Sequence, residues 1–239
     1  MKRIFLLSIV MLFVFSSVLS AEPTVKKPFG GCCLNGWKYN GPAENCWTVG
    51  TLKADATTME VIPLKEGEKG CMINPLPSDW NKTNPRKGVD IYTEETYGDC
   101  TVKLEVLITK GSNSGIYLMG EYEVQIADSF GKPDAQLSDG DMGAICWVTK
   151  PSTNACGAPG TWQTFEIEFV APKFDADGNK TANAMFKRVV LNGKLVVENA
   201  EIAKPNGGGV TNKEAAAGPL MFQGNHGPVA YRNIEIIVP

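Results

Sequence analysis

The chain has 239 residues, with 23 lysines and arginines, 26 aspartates and glutamates, one histidine and a formal net charge of −3. Without Lys2 and Arg3, which fall in the leader described next, 21 basic residues stand against 26 acidic ones, a balance of −5. A mildly acidic chain with no cluster of basic residues argues against a nucleic-acid partner. The length that remains after the leader suits one large all-β domain.

The first twenty residues are typical of a secretory signal peptide. Lys2 and Arg3 precede a nearly unbroken apolar run from 4 to 15, and small residues follow up to Ser20. The run is shorter than the ~20 residues of a membrane-spanning helix, so we expect an exported protein, periplasmic or extracellular, with no membrane span. The predicted parts are the signal peptide at 1–20, an N-terminal segment at 21–36 and a single domain at 37–239.

Seven cysteines follow the leader, and no two of them have the spacing of a CxxC metal pair. Exported chains meet an oxidising compartment in which disulfides form, and an odd number leaves at least one thiol unpaired within a monomer. Cys100 lies in the strand-like run "GDCTVKLEVLI" and is predicted to be a buried thiol. The pairing of the cysteines stays open.

Short runs of alternating apolar and polar residues, separated by Gly, Pro, Asn and Asp, predict β-strands. In chain order these runs are "TVKLEVLI", "YEVQI", "TWQTFEIEFV" and "YRNIEIIV". In "YEVQI" the apolar Tyr122, Val124 and Ile126 share one face, and Glu123 and Gln125 project from the other. The alternation is typical of strands that are buried on one side only.

The segment "RVVLNGKLVVEN" predicts a β-hairpin, because Asn192 and Gly193 are a residue pair of the type I′ turn. Residues 63–88 and 204–218 are rich in turn-forming residues and predict two long loops, the second one flexible and leading into the only histidine. Many short strands with turn signals between them, and no long helical period, predict an all-β fold: an antiparallel β-sandwich or jelly roll.

Five segments, in one order, resemble the 3-keto-disaccharide hydrolase domain family. They are "TYGDCTVKLEVLITKGSNSGIYLMGEYEVQIADSFG", "GAIC", "GTWQTFEIEFVAPKFDADG", "VVLNGKLVVEN" and "GPLMFQGNHGPVAYRNIEI". The resemblance covers about 37 to 236 and implies a concanavalin A-like jelly roll, in agreement with the strand pattern. This chain departs from the family pattern at Met119 and Glu121, where basic residues are frequent, and at Cys146, where "GAIY" is frequent.

The activity that the resemblance implies is cleavage of glycosides whose sugar already carries a ketone at C3. The ketone acidifies the C2 proton, so that a base can remove it, the enolate can expel the C1 substituent, and water can add to the product. His226 and Glu123 are the predicted catalytic residues. Imidazole, with an unperturbed pKa of ~6.5, serves as acid or base, and Gly224 and Gly227 leave room for a sugar ring beside it.

Seven further residues are predicted to bind the sugar, each with a purely structural role as the competing interpretation. Gln125 shares a face with Glu123, whereas Asp128 has the opposite parity and joins them only at a strand end or bulge. Arg232 is predicted to project from the same strand face as the apolar Ile234. A charged side chain there needs a partner, so we expect it to be paired at a sheet edge or to reach a carboxylate in the site. For the remaining four the alternative is turn formation or packing: Asn113, Tyr117, Trp162 and Gln223.

The sequence commits to no cofactor, and whether a divalent cation stabilises the enolate is left open. The ligands of such a cation would be His226, Glu123 and an amide oxygen, a set that suits neither a structural zinc site nor a calcium cage. The predicted partner is an oxidised, 3-keto sugar. Because a fold does not determine a function, a non-catalytic carbohydrate-binding module and a scaffold domain with no small ligand are the alternatives. The oligomeric state stays open.

Overall fold

The computed structural model describes residues 22–41, 45–76 and 88–239. The predicted signal peptide at 1–20 and much of the predicted loop at 63–88 lie outside these residues. The described residues form β-strands and one 3₁₀ turn at Asp134–Gln136, with no α-helix. The strands are β1 Thr24–Lys26, β2 Trp37–Asn40, β3 Thr48–Ala54, β4 Met59–Ile62, β5 Cys71–Asn74, β6 Asp90–Tyr97, β7 Cys100–Ile108, β8 Asn113–Leu118, β9 Tyr122–Ala127, β10 Gln163–Val170, β11 Lys173–Phe174, β12 Lys180–Ala182, β13 Ala184–Leu191, β14 Lys194–Ile202, β15 Gly218–Phe222 and β16 Val229–Val238.

Two antiparallel sheets carry the fold. The large sheet has nine strands in the order β14-β13-β10-β7-β16-β5-β3-β4, with β1 paired to β16 as its ninth strand. The small sheet has five strands in the order β2-β6-β15-β8-β9, and β11 and β12 form a separate ribbon. Strands distant in sequence therefore lie side by side in both sheets, as in a jelly roll. The predicted all-β antiparallel sandwich is confirmed.

The core lies between the two sheets and contains a column of aromatic rings. The Trp37 ring stacks on Phe222 of the small sheet at 5.5 Å between centroids, and Phe222 stacks on Tyr231 of the large sheet at 3.9 Å. The ring of Trp47 continues the column, 6.2 Å from Tyr231. Offset and stacked aromatic pairs bury large apolar areas at a defined separation. This column therefore helps to set the distance between the two sheets.

The structure confirms two local predictions. Asn192 and Gly193 have φ values of 51° and 77°, as the type I′ turn requires, and β13 pairs with β14 across them. Cys100 is buried in the core, where loss of water raises the pKa of its thiol to about 12.

Two other local predictions are wrong. The loop at 63–88 contains β5, whose four residues are all buried. Met72 packs in the core between the sheets and Cys71 and Ile73 pack in a second apolar cluster on the other face, so the strand shows no alternation of polar and apolar residues. The segment "KGSNSGIYL" also predicts that Asn113 lies on a turn before a strand, whereas Asn113 is the first residue of β8.

Candidate active site

The outer face of the small sheet is unusually polar for a surface that is largely buried. Ile116, Val124 and Phe222 point into the core between the sheets, so their neighbours along each strand point the other way. We call this outward surface the polar face. Its polar members and the glycine among them, from β6 to β9, are Asp90, Gln223 (just after β15), Asn113, Gly115, Tyr117, Glu123 and Gln125. Met221 and Tyr92 lie on the same face, in register with Tyr117.

Glu123 is the central acid of the polar face. Only 6% of its surface is exposed, and this loss of water raises the pKa of its carboxyl group from 4.5 to about 7, with the charge of Asp90 adding to the effect. Hydrogen bonds from the Tyr117 hydroxyl and the Cys146 thiol oppose the rise. The result is a carboxyl group that can take or give a proton near neutral pH.

The carboxylate of Glu123 lies across β8, in space that Gly115 leaves open. Gly115 and Gln125 are register partners, and Tyr117 is the partner of Glu123. A Cβ atom at position 115 would overlap Oε1 of Glu123 and would lie 2.7 Å from Cε2 of Tyr117. A glycine inside a strand often marks such a close approach. Here it lets the carboxylate turn from β9 towards the middle of the sheet.

A short chain of hydrogen bonds continues from Glu123 towards β15. Gln223 Nε2 donates to the Tyr117 hydroxyl at 3.5 Å, and that hydroxyl interacts in turn with Glu123. The main-chain N–H of Gln223 donates to Gly115 O at 3.0 Å, which holds the glutamine in place. Among the described residues no partner reaches the buried Oε1 of Gln223. An unpaired buried acceptor is costly, so this oxygen is available to accept a hydrogen bond from a bound hydroxyl.

Asp90 is a second buried acid on the polar face, and it was missed by the sequence analysis. It opens β6, and its Oδ1 accepts the Gly224 N–H at 2.9 Å. Burial raises the pKa of its carboxyl group from 3.8 to about 6, against the effect of that hydrogen bond. One signal was present in the sequence: in "VDIY" Asp90 shares the parity of Tyr92 and is opposite to the core residue Ile91.

Two loops cover the Glu123 end of the polar face. We call residues 206–211 the glycine strap and residues 145–149 the cover turn. Asn206 joins them, because its Oδ1 accepts the Glu123 N–H at 2.7 Å and its Nδ2 donates to Cys146 O. Thr211 donates through N and Oγ1 to Oε1 of Glu121, at 2.8 and 2.7 Å. The segment predicted to be a flexible loop is thus tied to Glu123 of β9 and to Glu121, which directly precedes that strand.

His226 lies at the other end of the polar face. Its carbonyl oxygen accepts the N–H of Asn113 at 3.3 Å, and its Nδ1 contacts Oδ1 of Asn225. The residue is 9% exposed. Asn113 and Tyr117 are four residues apart on β8, about 13 Å of strand. The Glu123 carboxylate reaches over Gly115, halfway along that distance.

Four of the predicted sugar-binding residues belong to the polar face. Asn113 Nδ2 donates to Oε1 of Gln125 at 3.4 Å, which links β8 to β9 at the His226 end. Tyr117 and Gln223 are joined at the Glu123 end, as described above. These four residues, with Glu123 and His226, surround one strip of the small sheet.

Arg232 and Trp162 lie elsewhere, on the outer face of the large sheet. The guanidinium of Arg232 lies 4.0 Å from the centre of the Trp162 ring and pairs with Oε2 of Glu105 at 2.6 Å. The parity predicted for Arg232 is wrong because β16 contains a β-bulge, with Asn233 at φ 52°, which reverses the side-chain alternation before Ile234. The aromatic core lies between these two residues and the polar face.

Asp128 shapes a loop at the end of β9 and does not join Gln125. Its Oδ2 accepts the Gly111 N–H at 2.9 Å, and its Oδ1 accepts the Phe130 N–H at 3.3 Å. The strand ends at Ala127, but the carboxylate is occupied by these turn contacts. Asp128 is therefore reassigned from sugar binding to turn formation.

The polar face holds two carboxylates, those of Asp90 and Glu123, among amide and hydroxyl groups. In the ranges that the structure describes, no group of three or more His, Cys, Asp or Glu side chains is arranged around a common point. Asp90 and Glu123 are two carboxylates without a third such ligand.

We expect the raised pKa of Glu123 to make the protein less stable as the pH rises. The folded state keeps a proton that the unfolded chain releases, so the stabilisation is complete below about pH 4 and is lost as the pH rises through about 7. Glu123→Gln, which cannot ionise, should gain up to about 3 kcal/mol relative to the wild type between those limits. Urea unfolding at acidic, neutral and mildly alkaline pH measures the gain. A difference that is constant with pH would show that the carboxyl pKa is ordinary.

Within the described ranges, no helix is long and apolar enough to cross a bilayer.

No curated protein matches this chain. Three crystal structures of candidate glycosyl hydrolases from Parabacteroides distasonis are similar to it. The first has 25% identity and a TM-score of 0.57 and covers 91% of this chain and 92% of its own. The second has 20% identity and a TM-score of 0.56, with 89% and 92% covered. The third has 20% identity and a TM-score of 0.53, with 90% and 100% covered.

The sequence matches the profile of the 3-keto-alpha-glucoside-1,2-lyase-like domain over residues 24–237. The match takes in both sheets, the polar face and the two loops that cover it. It agrees with the resemblance carried by the five sequence segments. The chain therefore belongs to the 3-keto-alpha-glucoside-1,2-lyase-like domain family.

Proposed function

We propose that this protein is an exported enzyme that cleaves 3-keto-glycosides on the polar face. The observation that carries the proposal is Glu123, a buried carboxyl group with a pKa of about 7 that is surrounded by hydrogen-bonding side chains of the polar face. A general base works best when its pKa is near the working pH. The family membership and the similarity to candidate glycosyl hydrolases support a glycoside as the substrate.

In the proposed reaction Glu123 removes the C2 proton of the 3-keto sugar. The electron pair of the C2–H bond enters the enolate that forms between C2 and C3. It then forms the C1–C2 double bond as the C1–O bond breaks, which restores the ketone. Tyr117 and Cys146, which donate to the Glu123 carboxylate, hold it in place and favour its charged form before the transfer.

His226, at the other end of the same strip, donates to the C3 oxygen and stabilises the enolate, and Glu123 returns its proton to the leaving oxygen as the C1–O bond breaks. Addition of water across the new double bond then completes a net hydrolysis. Gln125, Asn113 and Gln223 hold the ring hydroxyls, and the unpaired Oε1 of Gln223 accepts from one of them. A positioned acid or base contributes about 10²–10⁴-fold in rate.

Incubation of the mature protein with 3-keto-disaccharides and with their unoxidised parents tests the proposal. We expect release of a free sugar from the keto forms alone, because only the ketone acidifies C2. An absorbing unsaturated ketone identifies elimination, and its absence alongside free 3-keto sugar identifies completed hydrolysis.

The variant His226→Ala separates an enzyme from a binding module. An enzyme should lose turnover yet still show a rise in melting temperature with the keto sugar. Binding by the wild type without any release would favour a non-catalytic carbohydrate-binding module. A melting temperature that does not respond to any sugar would contradict both functions.

A further inference from the structure

Trp147 is an exposed indole next to the candidate active site. It is 73% exposed, the highest value among the large apolar side chains of the described residues. Exposure of so large a ring forgoes a substantial hydrophobic gain. Its φ of 59° adds a cost, since bulky residues rarely adopt the left-handed region. Both features oppose folding, so folding does not explain why an indole stands at this position. We take the ring to serve recognition.

The backbone holds Trp147 at one place relative to Glu123. The N–H of Cys146 donates to Glu123 O at 3.2 Å, and the carbonyl of Cys146 accepts from Asn206. On the other side, the N–H groups of Val148 and Thr149 donate to Ile145 O at 2.9 and 3.0 Å. The indole is therefore carried on a closed turn that is bonded directly to the strand of the proposed base.

The glycine strap places the indole beside the polar face. A Cβ atom on Gly207 would lie 3.5 Å from Cζ3 of Trp147, and one on Gly208 would lie 3.4 Å from the hydroxyl of Tyr117. These contacts and one Cα–Cα step limit the distance between the indole edge and the Tyr117 hydroxyl to about 14 Å. Two linked pyranose rings can span that distance.

We propose that Trp147 determines specificity for the leaving group by stacking against a ring attached at C1 of the keto sugar. This inference rests on the proposed function. The keto ring occupies the polar face at Glu123, and the second ring lies on the flat side of the indole, outside the strap. Trp147 therefore favours turnover of 3-keto-glycosides with a cyclic leaving group over small alkyl 3-keto-glycosides.

The test compares two substrates, a 3-keto-α-linked glucose disaccharide and methyl 3-keto-α-glucopyranoside. We expect Trp147→Ala to lower kcat/KM for the disaccharide about 5- to 10-fold, in line with the usual strength of aromatic stacking. The methyl glycoside, which has no second ring, should change less than about twofold. Trp147→Phe keeps an aromatic face and should restore most of the disaccharide activity. Equal melting temperatures show that the variants fold.

Each other outcome is decisive. Equal losses on both substrates would mean that Trp147 acts only by positioning the Cys146–Glu123 contact. No loss on either substrate would mean that the ring does not contact the leaving group. Both results overturn the inference and leave the proposed function intact. If the wild type turns over neither keto-glycoside, the proposed function fails and this inference fails with it. Quenching of Trp fluorescence by the disaccharide in the wild type, but not in Trp147→Phe, is the expected independent sign of stacking.

Discussion

Glu123→Gln should lower kcat/KM for a 3-keto-glycoside by about 10²–10⁴-fold, the usual contribution of a general base. The amide keeps the size of the side chain and still accepts a hydrogen bond, but it cannot take the C2 proton. In the wild type kcat/KM should rise with pH through an apparent pKa of about 7, because only the ionised carboxylate is a base and burial raises its pKa to that value. Steady-state kinetics over the neutral range measure both effects.

Glu168→Gln is the matched control for this experiment. Glu168 is a half-exposed residue of β10 whose nearest ion-pair partner, Lys187 Nζ, lies at 3.7 Å. The control should keep wild-type activity. Turnover by Glu123→Gln within a few-fold of the wild type would remove Glu123 from the reaction.

Gly115→Ala should lower kcat/KM by about 10²-fold, although it adds only one methyl group and removes no ionisable group. The new Cβ overlaps Oε1 of Glu123, so the carboxylate must leave its place over β8. A displacement of about 1 Å at a reacting group can cost that much. Kinetics with a 3-keto-glycoside measure the loss, and circular dichroism verifies the fold.

Gly30→Ala is the control for the added methyl group. A Cβ atom there would have no neighbour within 4 Å, and we expect unchanged activity. If Gly115→Ala remains fully active while folded, the position of the Glu123 carboxylate over β8 is not required for turnover. The proposed mechanism would then need a different base.

The pairing of Glu123 with Gln125 on one face could be predicted from the sequence because it depends on a single strand. Side chains alternate along any extended chain, so the apolar Tyr122, Val124 and Ile126 define the opposite face directly. The same local argument gives the hairpin at Asn192 and the buried thiol of Cys100.

Alternation fails where the strand is irregular or buried on both sides. The bulge at Asn233 reverses the direction of Arg232 relative to Ile234, and nothing in "YRNIEIIV" announces an extra residue. Strand β5 has no polar side to reveal it, since both of its faces pack against apolar clusters and all its residues are buried.

The neighbours of Glu123 could not be predicted, since they come from distant parts of the chain. Asp90 is on β6, and it belongs to the site only because β6 pairs with β15 and β15 pairs with β8 in the small sheet. Cys146 and Asn206 belong to loops that are hydrogen-bonded to Glu123, Cys146 through its N–H and its thiol and Asn206 through Oδ1. The pKa of Glu123 follows from these contacts and from burial, neither of which a strand pattern contains.

The sequence by itself determined the all-β class, the family and the faces of the regular strands, because alternation and turn residues act over a few neighbouring positions. Only the tertiary structure decided which groups share the site and which do not. It placed Trp162 and Arg232 across the core, and it joined Asp90, Glu123 and Trp147 near one strip of sheet. Strand order and loop closure are set by packing of the whole chain, so the environment that makes a carboxyl group reactive emerges only when the two sheets are assembled.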